Sequence, residues 1–461
     1  MAEGIHTLID RDFDGLVRDL RGLLAIRSVL DEESSSGERP FGPGTAEALG
    51  YFLAIAERLG FRTRNIDNMV GYAEAGDGPL FAVLAHLDVM PEGKLESWRF
   101  PPFGGVISDG KLYGRGAIDD KGPAVSALYA VKALRDSGAK LSRRFRVIVG
   151  LDEESGSRCM ERYNLSEEAP EAGFSPDANF PVVNAEKGML RFALKKKIDP
   201  FSVKGVPELL DIYGGTRLNV VPDELNAFFK GAAAGNLERV FLPIGASVAN
   251  AGGGVLLTVK GVAAHAMAPW KGENAIQKFL SALDELDFGP VALHLELMKL
   301  RGLFGSETGG ESLGIACRDG ISGPLSCNLA LISLDGGALT VKCDVRYPVT
   351  VDGKSVTDGL AAAAGSIGWD LDILNVSPPL FVAPDSALVK TLLDAYEAVT
   401  GERGEPFAIG GGTYCRSMPN TVSFGGLFPG EEELAHQANE YIALESLRKM
   451  THIYAEALSR F

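Results

Sequence analysis

Cysteine is scarce in this sequence and shows no pairing pattern. The five residues Cys159, Cys317, Cys327, Cys343 and Cys415 are odd in number, widely spread and never form a Cys-x-x-Cys pair, which argues against a disulfide framework and a thiolate zinc knuckle. Long apolar runs are also missing: no window approaches the roughly 18 continuous apolar residues of a membrane span. The opening residues mix Asp10, Arg11, Asp12 and Asp14 with isolated apolar ones, which is no signal-peptide pattern. The expectation is a cytoplasmic protein with reduced thiols. Positive charge is in short supply, with 45 Lys and Arg against 61 Asp and Glu and a net charge of -16. Phosphate backbones and anionic lipid would be repelled, so neither nucleic acid nor membrane is expected as a partner. No Gly-x-Gly-x-x-Gly turn follows a strand and there is no phosphate loop, which leaves nucleotide chemistry unsupported. Gly310-Glu-Ser-Leu-Gly314 has the spacing of a serine-hydrolase elbow, but the stretch before it reads as loop, whereas that elbow needs a strand, a tight turn and a helix. No repeat of fixed period and no low-complexity segment is evident.

What is present is a large core. The chain has 461 residues, 46% hydrophobic and 23% charged, the composition of a globular protein of two or three domains. Leu16, Leu20, Leu23 and Leu24 recur at helical spacing, as do Leu49, Phe52, Leu53 and Ala56 before Gly60, so two amphipathic helices open the chain. The Ser/Gly/Pro-rich stretch from Asp31 to Gly44 between them reads as loop. Strand-like runs at Leu80–Leu87 and Phe145–Leu151 flank a helical pattern at Ala124–Leu134, an alternation that indicates parallel crossovers. From about residue 188 the texture changes to short strands, at Arg191–Ile198, Leu218–Val221, Leu225–Phe229, Gly254–Lys260 and Leu329–Asp344, with few long helices between. After Pro384 the earlier style returns with a helix at Ala387–Val399, the Gly410-Gly-Gly-Thr turn and a final helix from Glu440 to Leu458. The chain thus leaves one domain, residues 1–187 and 386–461, to build another, residues 188–385.

Candidate chemistry centres on Gly114-Arg-Gly-Ala-Ile-Asp-Asp-Lys-Gly-Pro123. Asp119 and Asp120 lie in a glycine-rich turn at the mouth of a helix, where negative charge is favoured and Pro123 suits the first turn. A carboxylate held there with its oxygens outward can bridge two cations. His86 and Asp88, two residues apart at a strand end, share a face, so Asp88 can orient the ring of His86 as metal-bound histidines are commonly oriented. Asp152-Glu-Glu154 follows the next strand, and three adjacent acids repel unless solvated or met by cations. Asp177 lies in the turn Ser175-Pro-Asp-Ala-Asn-Phe-Pro181, and His436 far down the chain. Each of these is unremarkable alone, as a solvated turn, an acidic loop or a lone histidine. In open α/β sheets the strand C-termini gather at one edge, where His86, Asp119, Glu154 and Asp177 can converge. Oxygen and imidazole donors without thiolate suit zinc, manganese or cobalt.

Taken together these residues resemble the dinuclear zinc M20 peptidases, in particular PepV-like bacterial dipeptidases of Xaa-His dipeptidase type. The resemblance spans nearly the whole chain through His-Leu-Asp at 86–88, the 114–123 turn, Asp-Glu-Glu at 152–154, the 175–181 turn, Gly-Gly-Thr-Tyr at 411–414 and Leu-Phe-Pro-Gly at 427–430 before His436. It implies an α/β catalytic domain, with a mixed, largely parallel sheet flanked by helices as in zinc aminopeptidases, interrupted by an inserted α+β two-lobed lid domain. It implies two Zn2+ per chain, with Mn2+ or Co2+ as alternatives: Asp119 bridging, His86 and Asp177 on one ion, Glu154 and His436 on the other. Glu153 would be the general base, Asp88 the partner of His86, and the Asp119–Asp120 peptide would be cis. In the insert His265 resembles the lid histidine that approaches the scissile carbonyl, and Asn219 a second contact to the same oxygen. Arg346 and the turn carrying Gly412, Thr413 and Arg416 resemble the grip on a substrate carboxylate, with Cys415 where relatives often carry alanine. The long insert resembles the lid of PepV-like monomers, so His265 would act in its own chain. The implied activity is hydrolysis of unblocked dipeptides, with an N-acyl-amino-acid amidohydrolase, a carboxypeptidase or an inactive binding protein of the same fold as alternatives.

Overall fold

The computed structural model describes residues 4–198, 208–231, 234–286 and 292–461. The chain divides into two compact units, one of Met1–Ala185, Phe381–Phe407 and Gly412–Phe461, the other of Glu186–Leu380 and Ala408–Gly411. Among the described residues no helix is long and apolar enough to cross a membrane.

The first unit is built round a mixed sheet in which Arg62–Ile66, Val70–Ala75, Arg144–Gly150, Leu80–His86, Ala172–Ser175 and Thr421–Ser423 lie side by side in that order. The last four of these strands run parallel, while the first two join them as an antiparallel hairpin. Every residue of Leu80–His86 is buried, the near-continuous apolar texture of a strand covered on both faces. The crossover helix Lys121–Asp136 joins Leu80–His86 to Arg144–Gly150 and packs against the N-terminal helix Ile5–Leu24 and the C-terminal helix Leu444–Ser459. Its Ala124, Ala127 and Ala130 are fully buried, small side chains that let three helices approach closely. Leu20, Leu128, Val131, Ile453 and Tyr454 belong to the core that these elements share.

The two opening helices expected from periodicity are Ile5–Leu24 and Pro43–Arg58. The final helix starts later than expected, at Leu444. Tyr441–Ala443 is instead a strand paired with Lys111–Tyr113, because Glu440, read as a helical residue, is drawn wholly into the interior.

The second unit carries an antiparallel sheet in the order Ala246–Ala251, Gly254–Lys260, Glu224–Lys230, Glu208–Gly214, Ser326–Asp335, Ala338–Tyr347, Gly188–Lys197 and Asp370–Ser377. Its core gathers Phe192, Leu225, Leu257, Phe279, Leu300, Val341 and Leu360. The run read as one stretch at Leu329–Asp344 is a hairpin bent at Gly336-Gly337, both at positive φ (55° and 75°), as a tight right-twisting turn requires. Leu218–Val221, expected as a strand, is a turn with one isolated bridge from Val220 to His265. Gly215, at φ 78°, takes the chain off the sheet after Glu208–Gly214, so apolar side chains follow a turn rather than a ladder. Helices at Ala292–Phe304 and Gly353–Ile367 make this unit more helical than its sequence texture suggests. Gly310–Gly314 is a turn with no helix after it.

Candidate metal centre

Parallel strands deliver their C-termini to one edge, and the acidic and histidine side chains of the first unit follow from that. His86 ends its strand, Asp152 to Glu154 follow Arg144–Gly150, Asp177 follows Ala172–Ser175, and Asp119 precedes the crossover helix, whose N-cap is Asp120. His436 arrives from the loop before Tyr441–Ala443. That loop is pinned by Asn439, whose side chain accepts from Arg99 N at 2.5 Å and donates to Ser97 O at 2.9 Å. It holds His436 at φ 65°, a conformation that residues with a Cβ seldom adopt.

The convergence is tight. Asp119 Oδ1 lies 2.8 Å from His86 Nε2 and its Oδ2 lies 2.9 Å from His436 Nε2. Asp177 is 3.7 Å from His86 Nε2, and Glu154 is 3.0 Å from His436 Nε2. Two groups of three donors result: His86, Glu153 and Asp177, and Asp119, Glu154 and His436. The Asp119–Asp120 peptide is cis.

Hydrogen bonding does not account for these contacts. His86 Nε2, Asp119 Oδ1 and Glu154 Oε1 are buried yet make no hydrogen bond, although their neighbours stand at hydrogen-bonding distance. Buried polar atoms are rarely left so. Lone pairs turned toward a common point are what a cation needs, and the donor set of imidazole and carboxylate without thiolate fits zinc, manganese or cobalt. The electrostatics agree. Burial opposes a charged His86, yet the carboxylates of Asp119, Asp177 and Asp88 carry its pKa well above the ordinary value. His436 is driven up to about 11, against burial, by Asp119 and Glu154. Burial and then the Asp119 charge push Glu154 up to about 7, and burial and then Asp177 push Glu153 well above the usual carboxylate range. Among these side chains alone, protons must supply the positive charge that a divalent cation would otherwise bring.

Supporting contacts set the geometry. His86 Nδ1 is 2.9 Å from the main-chain oxygen of Asp88 and 3.5 Å from its carboxylate, so the carbonyl rather than the carboxylate expected for this task fixes the tautomer. The Asp88 carboxylate instead accepts from Glu153 N at 3.2 Å and Glu154 N at 3.1 Å, which anchors the acidic turn. Asp152, the third acid of that turn, is taken up by Arg158 through Nε at 2.7 Å and Nη2 at 2.8 Å. Tyr414 meets the His86 ring edge-on at 6.2 Å and shares a hydrogen bond of 2.9 Å with Cys159. A Cβ on Gly150 would stand 2.2 Å from the Tyr414 hydroxyl, so only glycine fits at that strand end.

Two residues of this centre escaped sequence reading. Glu440 accepts from Gly116 N at 3.0 Å, Ile118 N at 2.9 Å and Asp119 N at 3.3 Å, and pairs with buried Arg115 at 2.7 Å; burial raises its pKa and Arg115 pulls it back. Lys121 Nζ donates to Leu23 O at 3.1 Å and Ile26 O at 2.8 Å, closing the C-terminal end of the first helix. No local spacing signals either role, since each partner is distant in sequence.

The remaining predicted contacts divide between the units. In the first, Thr413 Oγ1 lies 3.1 Å from Ser423 Oγ and accepts from Cys415 N at 3.2 Å, Gly412 is pressed against the Arg416 guanidinium, and Cys415 is fully buried. In the second, the bridge between Val220 and His265 sets Asn219 and His265 on adjoining segments. His265 Nδ1 accepts from Met267 N at 3.1 Å, which leaves Nε2 to carry the proton of the neutral ring. Arg346 is buried and paired with Asp344 through Nε at 2.5 Å and Nη2 at 3.1 Å, with Nη1 on Gly410 O at 3.0 Å, so much of its fork is already engaged.

An α/β unit with these donors at the strand ends is that of a metal-dependent hydrolase. The family model described as Peptidase family M20/M25/M40 matches residues 82–460, and the chain belongs to that family. It is 38% identical to "Putative dipeptidase YtjP" of Bacillus subtilis (strain 168), over 97% of each chain. Human carnosine dipeptidase 1 shares the fold with a TM-score of 0.59 at 16% identity, over 98% of this chain and 97% of that one. An M20 family metallo-carboxypeptidase from Sulfolobus solfataricus does so with a TM-score of 0.57 at 18% identity, over 96% and 98%. As a metallopeptidase of this family the chain binds divalent metal.

Proposed function

We propose that the chain is a metal-dependent dipeptidase that cleaves unblocked dipeptides with two zinc ions, or manganese or cobalt in their place, held by His86, Asp119, Glu154, Asp177 and His436. The observation that carries this reading is the placement of Asp119, whose two oxygens face different histidines at 2.8 and 2.9 Å, with Asp177 beside one and Glu154 beside the other. That arrangement supports a bridging carboxylate, His86 and Asp177 serving one ion and Glu154 and His436 the other. When bound, such a pair of cations supplies Lewis acidity and lowers the pKa of water at the site.

The chain's own residues do the rest. Glu153 takes the proton of the attacking water and returns it to the leaving amine. Burial and then the Asp177 charge raise the pKa of Glu153, and beside bound cations it would stand as the carboxylate that serves as base. Asp88 keeps Glu153 and Glu154 in register through their main-chain N–H groups. His265 Nε2–H and Asn219 donate to the substrate carbonyl oxygen as negative charge grows on it. Gly412, Thr413 and Arg416 hold the dipeptide carboxylate, with Arg346 as a further cationic contact. The residues 1–187 and 386–461 thus form the catalytic domain and 188–385 the substrate-binding lid.

We further propose that the protein works in the cytoplasm, in keeping with cysteines that show no pairing pattern, and as a monomer. A stable dimer seen by light scattering at micromolar concentration would overturn the latter. The central test is amine release from a panel of free dipeptides, N-acylated dipeptides and longer peptides, each with zinc, manganese or cobalt. Cleavage confined to free dipeptides is expected. Preference for acylated or longer substrates would replace the reading by an amidohydrolase or a carboxypeptidase.

A further inference from the structure

A second set of metal-ligating side chains lies where the first and last helices meet. Ile5–Leu24 presents His6 and Asp10, and Leu444–Ser459 presents His452 and Glu456. Each pair is spaced i, i+4, so each occupies one face of its helix. None of the four belongs to the metal centre described above.

The rings are arranged head to head. His6 Nδ1 stands 2.6 Å from His452 Nδ1, with ring centroids 4.8 Å apart. Behind them the outer nitrogens face carboxylates: His452 Nε2 lies 3.1 Å from Asp10 Oδ1, and His6 Nε2 lies 3.5 Å from Glu456 Oε2. A carboxylate accepts from an imidazole only where the nitrogen carries a proton. The 3.1 Å contact with Asp10 makes Nε2 the protonated nitrogen of a neutral His452 ring, so its Nδ1 turns a lone pair toward His6; with the His6 proton likewise on the nitrogen facing Glu456, the two Nδ1 lone pairs meet. Two lone pairs at that separation repel unless positive charge sits between them. Histidines that bind metal through one nitrogen and donate the other to a carboxylate have this same construction. Arg448 pairs with Asp10 at 2.9 Å and Arg460 with Glu456 at 2.7 Å, holding the two carboxylates in place.

We propose that His6 and His452 form a second metal site, for an imidazole-seeking divalent cation such as Zn2+ or Cu2+, bound through the two Nδ1 atoms with water completing its shell, and that this ion ties the first helix to the last. With Zn–N distances of about 2.0 to 2.1 Å, tetrahedral binding needs the two nitrogens roughly 3.3 Å apart. The rings must part by well under 1 Å, which the side chain of His6, 48% exposed, accommodates.

The test uses the full chain already loaded with zinc. Cu2+ is added and followed by electron paramagnetic resonance, and bound copper is counted by equilibrium dialysis. The expected result is one Cu2+ with splitting from two imidazole nitrogens in the wild type. In both His6→Ala and His452→Gln the affinity of that ion should fall at least tenfold and the two-nitrogen pattern should vanish, with dipeptide turnover unchanged. His6 is exposed, so its variant keeps the fold even if His452→Gln does not. Should wild type and His6→Ala give the same copper count and spectrum, or should the wild type bind no copper beyond its catalytic ions, the two rings share only a proton and the proposal falls. Neither readout depends on turnover, so this outcome is separate from the fate of the dipeptidase reading.

Discussion

Glu440→Gln isolates the contact that holds the Asp119 turn. In the wild type one carboxylate oxygen gathers the main-chain N–H groups of Gly116, Ile118 and Asp119, while the other pairs with Arg115; the two side chains are 0% and 2% exposed. Glutamine preserves the shape and can keep one carbonyl oxygen for the three amides, but it leaves the buried Arg115 guanidinium without its counter-charge. Breaking a buried pair on one side costs about 3 to 5 kcal/mol, and we expect a loss near the lower end because Arg115 also reaches Pro91 O at 3.4 Å. Glu440→Ala should cost more, since each orphaned buried N–H adds roughly 1 to 3 kcal/mol. The Asp119 turn should loosen with it, weakening metal binding about 10- to 100-fold, as loss of a group that orients a ligand commonly does. Urea unfolding of chelator-treated protein measures the first effect, and competition with a chromophoric chelator measures the second. Removing the stranded charge as well, in Arg115→Met with Glu440→Gln, should recover part of the stability. The reasoning fails if Glu440→Gln unfolds within about 1 kcal/mol of wild type and holds metal equally well, or if the double variant is worse than the sum of the singles.

Three further outcomes can be checked directly. Glu153→Ala should lower kcat by about 10² to 10⁴ while elemental analysis still finds the full complement of metal; retained activity would remove Glu153 from the role of base. Metal uptake should release protons, because His436 and Glu154, with pKa values raised to about 11 and about 7, must give theirs up to a cation. Affinity should therefore rise with pH through neutrality and fall on the acid side, and calorimetry in buffers of different ionisation enthalpy would show the protons; a pH-independent affinity would contradict this. Lys121→Met should destabilise the first unit by roughly 1 to 3 kcal/mol, since it strands the buried carbonyl of Ile26 while Leu23 O keeps Ile26 N at 3.2 Å, and an unfolding midpoint equal to wild type would show that the Ile26 carbonyl finds another donor.

The sequence alone determined the donors and the order in which strands would offer them. Apolar runs ending in Leu87 and Leu151 are local patterns, and once such strands lie parallel their ends must meet at one edge, which groups His86, Asp119 and Glu154 from the sequence alone, with Asp177 in a turn that can join them. The opening helices followed equally from their apolar spacing. Only tertiary structure decided that Asp88 would use its carbonyl on His86 and its carboxylate on the acidic turn, that Glu440 would leave the final helix to serve the Asp119 turn, that apolar residues 218–221 would turn rather than pair, and that His6 would meet His452. Those outcomes depend on which distant backbone groups need a partner once the core closes. Periodicity reports how a segment buries its own face and carries no information about whose N–H or lone pair will be waiting there.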